Sequence, residues 1–264
     1  MQIQQLLGVV SQMKVFILFR KYIKNILIIL FWLLVWEAAN FFVESRIIIV
    51  SPRETFLRLL DMALTGEFWV SISFSLRRIM FGFSLALFFG VLIAAISAKI
   101  KFVYDLVYPI INVINAVPIA SFTILALMAM RSSSLPVFVA FVTVLPIIFF
   151  NTYKGIINTD PQLLEMANVF KVKAWKKVYF IYFKTVKPYV LSAANVGIGF
   201  AWKSGIAAEL IGLVRGTIGS SLHVTRISLD TAGLFAWTIT IVILSFIMEK
   251  LFQLIFGRGE KIGG

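Results

Sequence analysis

The sequence predicts an all-α membrane protein with six transmembrane helices. Of its 264 residues, 60% are hydrophobic and only 14% are charged, which is far more apolar than a soluble domain. The apolar residues also gather into six long runs, each near or above the length that a helix needs to cross a bilayer. The predicted spans cover residues 25–43, 71–98, 102–130, 135–153, 189–213 and 233–256.

The charged residues predict how these spans are oriented. The net charge is +13, and lysines are concentrated near the N-terminus, at 99–101, at 154–187 and near the C-terminus. Because lysine and arginine accumulate in cytoplasmic loops, we expect these four regions and both termini in the cytoplasm. Membrane orientation therefore accounts for the basic charge, and no nucleic-acid partner is expected.

Four parts of the chain follow from these spans. We expect an N-terminal cytoplasmic or interfacial segment at 1–24, the first span and an outer amphipathic helix at 25–70, a five-span core at 71–257, and a cytoplasmic tail at 258–264. Ser51 and Pro52 are typical of a helix start, so they begin the outer helix. Its Leu57, Leu60 and Leu64 are expected to lie against the membrane or the span bundle.

Prolines and glycines predict how the spans bend and pack. Pro109 and Pro118 lie inside the third span, where they free backbone carbonyls and kink the helix. Small residues let helix backbones approach closely. The second and fifth spans carry such residues as Gly82, Gly90, Gly197, Gly199 and Gly205.

Cysteine and histidine counts exclude several kinds of site. The chain has no Cys, which excludes disulfides, thiolate metal sites and a cysteine nucleophile. Its single histidine, His223, argues against haem ligation or a multi-histidine metal enzyme. The P-loop pattern that cradles ATP phosphates is also missing from the sequence.

A charged loop between the fourth and fifth spans contains a predicted helix. Asp160 can cap this helix, and Pro161 suits its first position. Apolar residues then recur at helical spacing as Leu163, Ala167, Phe170 and Ala174. Such an amphipathic helix either docks on a cytoplasmic partner or lies among lipid headgroups, and its periodicity is compatible with both.

The residues of this loop resemble the EAA loop of ABC-importer permeases. Glu165-Met166-Ala167 resembles the central E-A-A motif, although Met166 replaces its first alanine, Lys171 stands where that family has a glycine and Lys184 where it has a proline. The resemblance implies a coupling helix at about 160–174 that docks into a groove of an ATP-hydrolysing subunit. The implied docking residues are Asp160, Leu163, Leu164, Glu165, Ala167, Phe170 and Lys171.

Further segments resemble the NitT/TauT-type permeases of nitrate, sulfonate and taurine importers. In chain order they are Leu76-Arg77-Arg78-Ile79-Met80-Phe81-Gly82-Phe83, Pro118-Ile119-Ala120, Asn151-Thr152-Tyr153-Lys154-Gly155, Ala201-Trp202-Lys203 leading to Ala207-Ala208-Glu209, and Gly216-Thr217-Ile218-Gly219. Each segment is weak alone, but their order and spacing over residues 50–257 are fairly specific. The resemblance implies a type I ABC importer permease fold with a cytoplasmic coupling helix.

The resemblance also implies the partners of this chain. Two permease subunits, most simply two copies of this chain, would work with two ATPase subunits and an external substrate-binding protein in a bacterial plasma membrane. ATP and Mg²⁺ would be bound by the ATPases, so no cofactor is expected in this chain. The implied cargo is a small, anionic solute such as nitrate or a sulfonate.

The fifth span predicts part of a translocation path. At about 100° per residue, Asn195, Gly199, Trp202 and Glu209 share one side of the helix. We expect this stripe to face the path, together with Asn115 and Pro118 of the third span. The alternative is that Glu209 sits at the outer interface, where it caps or anchors the helix.

Three other function classes were compared with an ATP-driven importer of this type. A permease of another type I importer, such as one for thiamine precursors, fits the same pattern. An ion-coupled secondary carrier would need several intramembrane acids and internal repeats, whereas the spans carry chiefly Lys203 and Glu209. A membrane-bound transferase lacks support, because no helix face gathers His, Asp and Glu. The chain is therefore expected to be a transporter subunit and not an enzyme.

Overall fold

A computed structural model describes residues 23–24, 26–43 and 48–256 of the chain, and these are helices joined by short turns. Nearly all of the predicted N-terminal segment, and the whole predicted tail, lie outside the described residues. The helices are α1 (Ile26–Val43), α2 (Pro52–Ala63), α3 (Gly66–Lys99), α4 (Lys101–Ala116), α5 (Ile119–Ala129), α6 (Leu135–Ile157), α7 (Pro161–Val169), α8 (Ala174–Lys177), α9 (Phe183–Ile211), α10 (Ile218–Ile227) and α11 (Thr231–Phe256). A 3₁₀ turn, Ser132–Ser134, precedes α6, and a π-helical turn, Val178–Tyr182, joins α8 to α9.

Within the described residues, four helical segments are long and apolar enough to cross a bilayer, and a fifth is added if α4 and α5 count as one span. The remaining candidate is α9, whose 29 residues include Asn195, Lys203 and Glu209 and make it less apolar than the others. The predicted all-α membrane fold is confirmed, while the count of six spans stays a prediction.

The third predicted span is not one continuous helix. It breaks between α4 and α5, whose axes differ in direction by 105°. Pro118 lacks an N–H and disfavours helical backbone at Val117, which is extended at φ −76° and ψ 131°. Pro109, by contrast, lies inside α4 without ending it. The predicted effect of proline is therefore confirmed at Pro118, where the helix breaks, and the kink expected at Pro109 stays a prediction.

Helices α3, α6 and α9 pack together to form most of the core. A Cβ added at Gly205 of α9 would lie 2.5 Å from Ile79 Cγ1 of α3, and one added at Gly90 of α3 would lie 2.8 Å from Ile148 Cβ of α6. Both distances are shorter than any real carbon contact, so only glycine permits this spacing. The predicted close packing around these glycines is confirmed.

The outer helix α2 begins where the sequence predicts. Ser51 caps it by accepting a hydrogen bond from the Glu54 amide at 3.1 Å, and an ion pair of 2.7 Å between Arg58 and Asp230 ties it to the start of α11. Its Leu57, Leu60 and Leu64 are exposed and point away from the bundle. Of the two expected surroundings, contact with the bundle is therefore wrong.

Candidate coupling and translocation sites

Helix α7 begins with the predicted cap. The Asp160 carboxylate accepts a hydrogen bond of 2.8 Å from the Gln162 amide, and Pro161 occupies the first helical position. The helix ends at Val169, so it is shorter than the predicted range of 160–174. Ala174 starts α8, and the helical path then continues through the π turn into α9, well before the expected loop end at Pro188.

The exposed side of α7 is an apolar ridge, which we define as Leu163, Met166, Val169 and Phe170. Val169 and Phe170 are 78% and 74% exposed, although both are large and hydrophobic. Ala167, expected on the docking surface, is only 3% exposed and packs against its own chain. The exposed face of α7 is therefore rotated about the helix axis relative to the predicted face. The predicted series ran through Leu163, Ala167, Phe170 and Ala174, and it did not include Met166 and Val169.

The other predicted docking residues lie around the ridge. Glu165 and Lys171 are exposed, and Leu164 is half-buried. Lys171 has φ +49°, the left-handed conformation that glycine adopts most readily. The Val172 amide donates to the Ala167 carbonyl at 2.9 Å, which closes the helix end. Lysine thus reproduces the turn for which the resembling family uses glycine.

A side-chain contact joins α7 to the helices that follow it. The Lys177 ammonium of α8 donates a hydrogen bond to the Asn168 amide oxygen of α7. Because α8 leads through the π turn into α9, this contact connects α7 to the segment of chain that enters the core.

Three residues of the predicted α9 stripe pack against α11. The Trp202 indole is buried and donates to the Ile241 carbonyl at 3.0 Å, while Asn195 accepts from the Gln253 side chain at 3.3 Å. Gly199 lies against Glu249, since an added Cβ would be 2.9 Å from its Oε1. This side of α9 is a contact between helices, and the expectation that Trp202 faces an open path is wrong.

Glu209 lies at a junction of three helices. Its Oε2 accepts hydrogen bonds from Ser75 Oγ of α3 at 2.7 Å and from the Gly219 amide of α10 at 3.2 Å. Ser75 Oγ in turn accepts from the Ile218 amide at 3.0 Å. The carboxylate is fully buried, so the expected path-facing position is wrong for it. Its geometry is that of the alternative, a group that caps and anchors a helix.

The adjacent side of α9, about 100° around the helix from the stripe, carries what we call the open face, consisting of Ser192, Val196, Phe200 and Lys203. All four are exposed and follow one another at intervals of three or four residues. Within the described residues the only ion pair is that of Arg58 and Asp230, so Lys203 has no carboxylate partner there. Lys203 is recognisable in the sequence as a charge inside a span, although no role was predicted for it; the signal is that it is the single lysine of the predicted span 189–213.

The bend between α4 and α5 opens onto this same surface. A cavity of about 310 Å³ lies there, lined by Asn115, Thr143, Val196 and Phe200 among others. Pro118 is exposed at the bend itself. The structure therefore brings the predicted path residues Asn115 and Pro118 next to the open face, and separates them from Trp202 and Glu209.

Known proteins with similar sequences are named as permease components of transport systems. Residues 86–259 match the family model described as binding-protein-dependent transport system inner membrane component. A probable ABC transporter permease protein of Brucella melitensis is 25% identical over 79% of this chain and 85% of its own length. A nitrate import permease of Synechocystis is 29% identical over 54% of this chain and 52% of its own. A putative aliphatic sulfonates transport permease of Bacillus subtilis is 23% identical over 81% and 77%.

Solved structures share the fold. One chain of an amino acid ABC transporter aligns with a TM-score of 0.61 and 19% identity, covering 77% of this chain and 97% of that one. A bacterial alginate ABC transporter, solved with its periplasmic protein, aligns with a TM-score of 0.57 and 12% identity over 78% and 83%. These matches confirm the type I permease fold. The chain belongs to the family of binding-protein-dependent transport system inner membrane components, and it is the permease component of an ABC importer.

Proposed function

We propose that two copies of this chain form the path of an ATP-driven importer for a small anion, with their open faces turned towards each other. The observation that carries the proposal is Lys203, an exposed cation within a membrane helix. A charged side chain facing lipid costs a few kcal/mol or more, and such residues face a bundle interior or a water-filled cavity. A second permease copy would provide that interior.

The charge on the open face defines the kind of substrate. No carboxylate of the described residues pairs with Lys203, so its field is available to a passing solute. Two copies would place two such charges beside the path, and rings of basic side chains favour anions. Relatives named as permeases for nitrate, aliphatic sulfonates and bicarbonate point to the same class of cargo.

The apolar ridge of α7 supports docking on an ATPase subunit. Clustered exposed apolar side chains mark an interaction surface, and a short amphipathic helix in a groove is a recurring mode of recognition. One ATPase on each permease copy gives the pair that the importer needs. ATP and Mg²⁺ would be held by those subunits, since this sequence has no P-loop pattern.

The proposed orientation follows from the same surfaces. Lysines cluster around α7 and α8, which supports a cytoplasmic position for this end of the molecule and for both termini. The opposite end, with α2 and α10, would then receive the solute from an external binding protein. The first span and the exposed sides of the bundle would contact lipid.

Uptake by the complete importer tests the substrate class. The chain would be reconstituted in vesicles with its ATPase and binding protein, and ATP-dependent uptake of labelled nitrate, methanesulfonate and bicarbonate measured. We expect uptake of at least one anion, a loss of tenfold or more in Lys203→Gln, and recovery in Lys203→Arg. Lys250→Gln, an exposed lysine of α11, is the matched control and should transport normally. Normal uptake by Lys203→Gln would refute the role of this charge.

Association with the ATPase tests the coupling surface separately. Phe170→Asp places a charge on the ridge, whereas Phe56→Asp places one on an exposed phenylalanine of α2. We expect only Phe170→Asp to lose copurification of the ATPase, while both variants insert into the membrane. Native mass spectrometry of the wild-type complex should find two permease chains, and a complex with one would contradict the proposed pair.

A further inference from the structure

A second cavity lies at the α7 end of the molecule, away from the open face. It is an open cavity with a volume of about 780 Å³, and it is bordered by the end of α3, the end of α6, the α8–α9 junction and Phe256. This volume is within the range of about 300–1,000 Å³ that is usual for small-molecule sites. Neither the path nor the ridge of α7 uses this cavity.

The walls of this cavity are mostly apolar. Aliphatic and aromatic side chains form them, including Val91, Ile156, Val190, Leu191 and Phe183. Such walls offer few hydrogen bonds to water, and a free inorganic anion has no apolar part that could cover them. The apolar walls are therefore suited to contact with a hydrocarbon chain.

Three lysines stand on the same walls. Lys99 is the last residue of α3, Lys177 ends α8, and Lys187 lies on α9. No Asp or Glu lines the cavity, and none of the three lysines has an ion pair within the described chain. Lys177 donates to Asn168, whereas Lys99 and Lys187 make no side-chain hydrogen bond to the part of the chain that the structure describes. The cavity therefore combines positive charge with apolar walls.

A buried hydroxyl adds independent evidence for a ligand. Thr152 of α6 lines the cavity and is fully buried, yet its Oγ1 has no hydrogen-bond partner. Buried polar groups are nearly always paired, and each exception needs an explanation. A ligand oxygen at this wall would supply the missing partner.

We propose that this cavity binds one anionic phospholipid, with an acyl chain along the apolar walls and the phosphate near Lys99, Lys177 and Lys187. Basic pockets between transmembrane helices on the cytoplasmic side bind anionic headgroups. That this end of the molecule is cytoplasmic rests on the proposed function. The lipid would contact α8 and the start of α9, directly behind the coupling helix α7.

Lipid titration of the purified full chain tests the site. The chain would be held in neutral detergent and titrated with phosphatidylglycerol or phosphatidylcholine, with retained lipid counted by native mass spectrometry. We expect one retained phosphatidylglycerol per chain and weaker retention of phosphatidylcholine. Each lysine near an anionic headgroup contributes about fivefold in affinity. The Lys99→Gln, Lys187→Gln double variant should therefore lose affinity about twenty-five-fold.

A matched double variant controls for overall charge. Lys173→Gln with Lys184→Gln removes two exposed lysines of the same region that do not line the cavity, and should bind within twofold of wild type. Equal loss in both double variants, equal retention of both lipids, or displacement of the lipid by soluble glycerol phosphate would overturn the proposal. If lipid were retained only by a chain truncated after Phe256, residues 257–264 would occupy the cavity in the full chain. That result would also overturn the proposal. Because no transport is measured, failure here leaves the proposed function standing, and failed anion uptake leaves this site standing.

Discussion

Polar side chains on two sides of α9 differ in whether they are bonded to the rest of the chain. On one side, Asn195, Trp202 and Glu209 each make a hydrogen bond to another helix of the same chain. On the other side, Lys203 is exposed and has no carboxylate partner in the described structure. A polar group that is hydrogen-bonded to another helix of its own chain serves the fold, whereas one without such a bond is available to a partner, to water or to a solute. Partnering, and not polarity, separates the two roles.

The largest loss of stability is expected when the hydrogen bonds of Glu209 to α3 and α10 are removed. Glu209→Ala leaves the Gly219 amide and Ser75 without their acceptor inside the bundle, and an unsatisfied buried group costs about 1–3 kcal/mol. We therefore expect a loss of about 2–4 kcal/mol for the two contacts together. A lowered midpoint of thermal unfolding in detergent, with reduced yield in the membrane, would show it.

Glu209→Gln is the matched control for this change. Its amide oxygen can still accept from Ser75 or Gly219, so we expect it to retain most of the stability lost in Glu209→Ala. If Glu209→Ala were as stable as wild type, Glu209 would not be an anchor and the contrast between the two sides would fail.

A smaller loss is expected from added volume in the contact between α3 and α9. In Gly205→Ala, the new methyl group would lie 2.5 Å from Ile79, and overpacking of a tight core costs about 1–3 kcal/mol. The double variant Gly205→Ala with Ile79→Ala removes the clashing side chain. The double variant should lose less stability than the sum of the losses in the two single variants, as measured by the midpoint of thermal unfolding. Strict additivity of the losses would show that the two positions do not touch.

The smallest effect on stability is expected on the open face. Lys203→Gln removes a charge that makes no ion pair or hydrogen bond within the described residues, and exposed substitutions of this kind are usually within about 0.5 kcal/mol of neutral. Its unfolding midpoint should match that of wild type, although its transport falls. A destabilisation as large as that of Glu209→Ala would place Lys203 in an internal contact instead.

Local signals in the sequence predicted local structure well. The caps at Ser51 and Asp160 and the break at Pro118 depend on a few neighbouring residues, and all three are present. Glycines in the spans likewise marked close contacts between helices, because a residue without a side chain lets two helix backbones approach each other.

Local sequence signals did not predict which side of a helix contacts which neighbouring helix. The α9 stripe has the periodicity of a polar face, but α11 covers it, and only the tertiary arrangement shows that. Ala167 and Met166 are adjacent in α7, and a small rotation of the helix decides which of them is buried. Lys171 shows a further limit, since its left-handed backbone is set by the helix end and not by its own preference.

The central claim is that the open face of α9 lines a water-filled path, and thiol accessibility tests it most directly. The chain has no cysteine, so single variants report without background. Phe200→Cys lies on the open face, and Leu34→Cys on α1 is a comparably exposed apolar position expected to face lipid. In the assembled importer in vesicles, a water-soluble, membrane-impermeant maleimide should label Phe200→Cys at least tenfold faster than Leu34→Cys. Equal labelling rates would contradict the account.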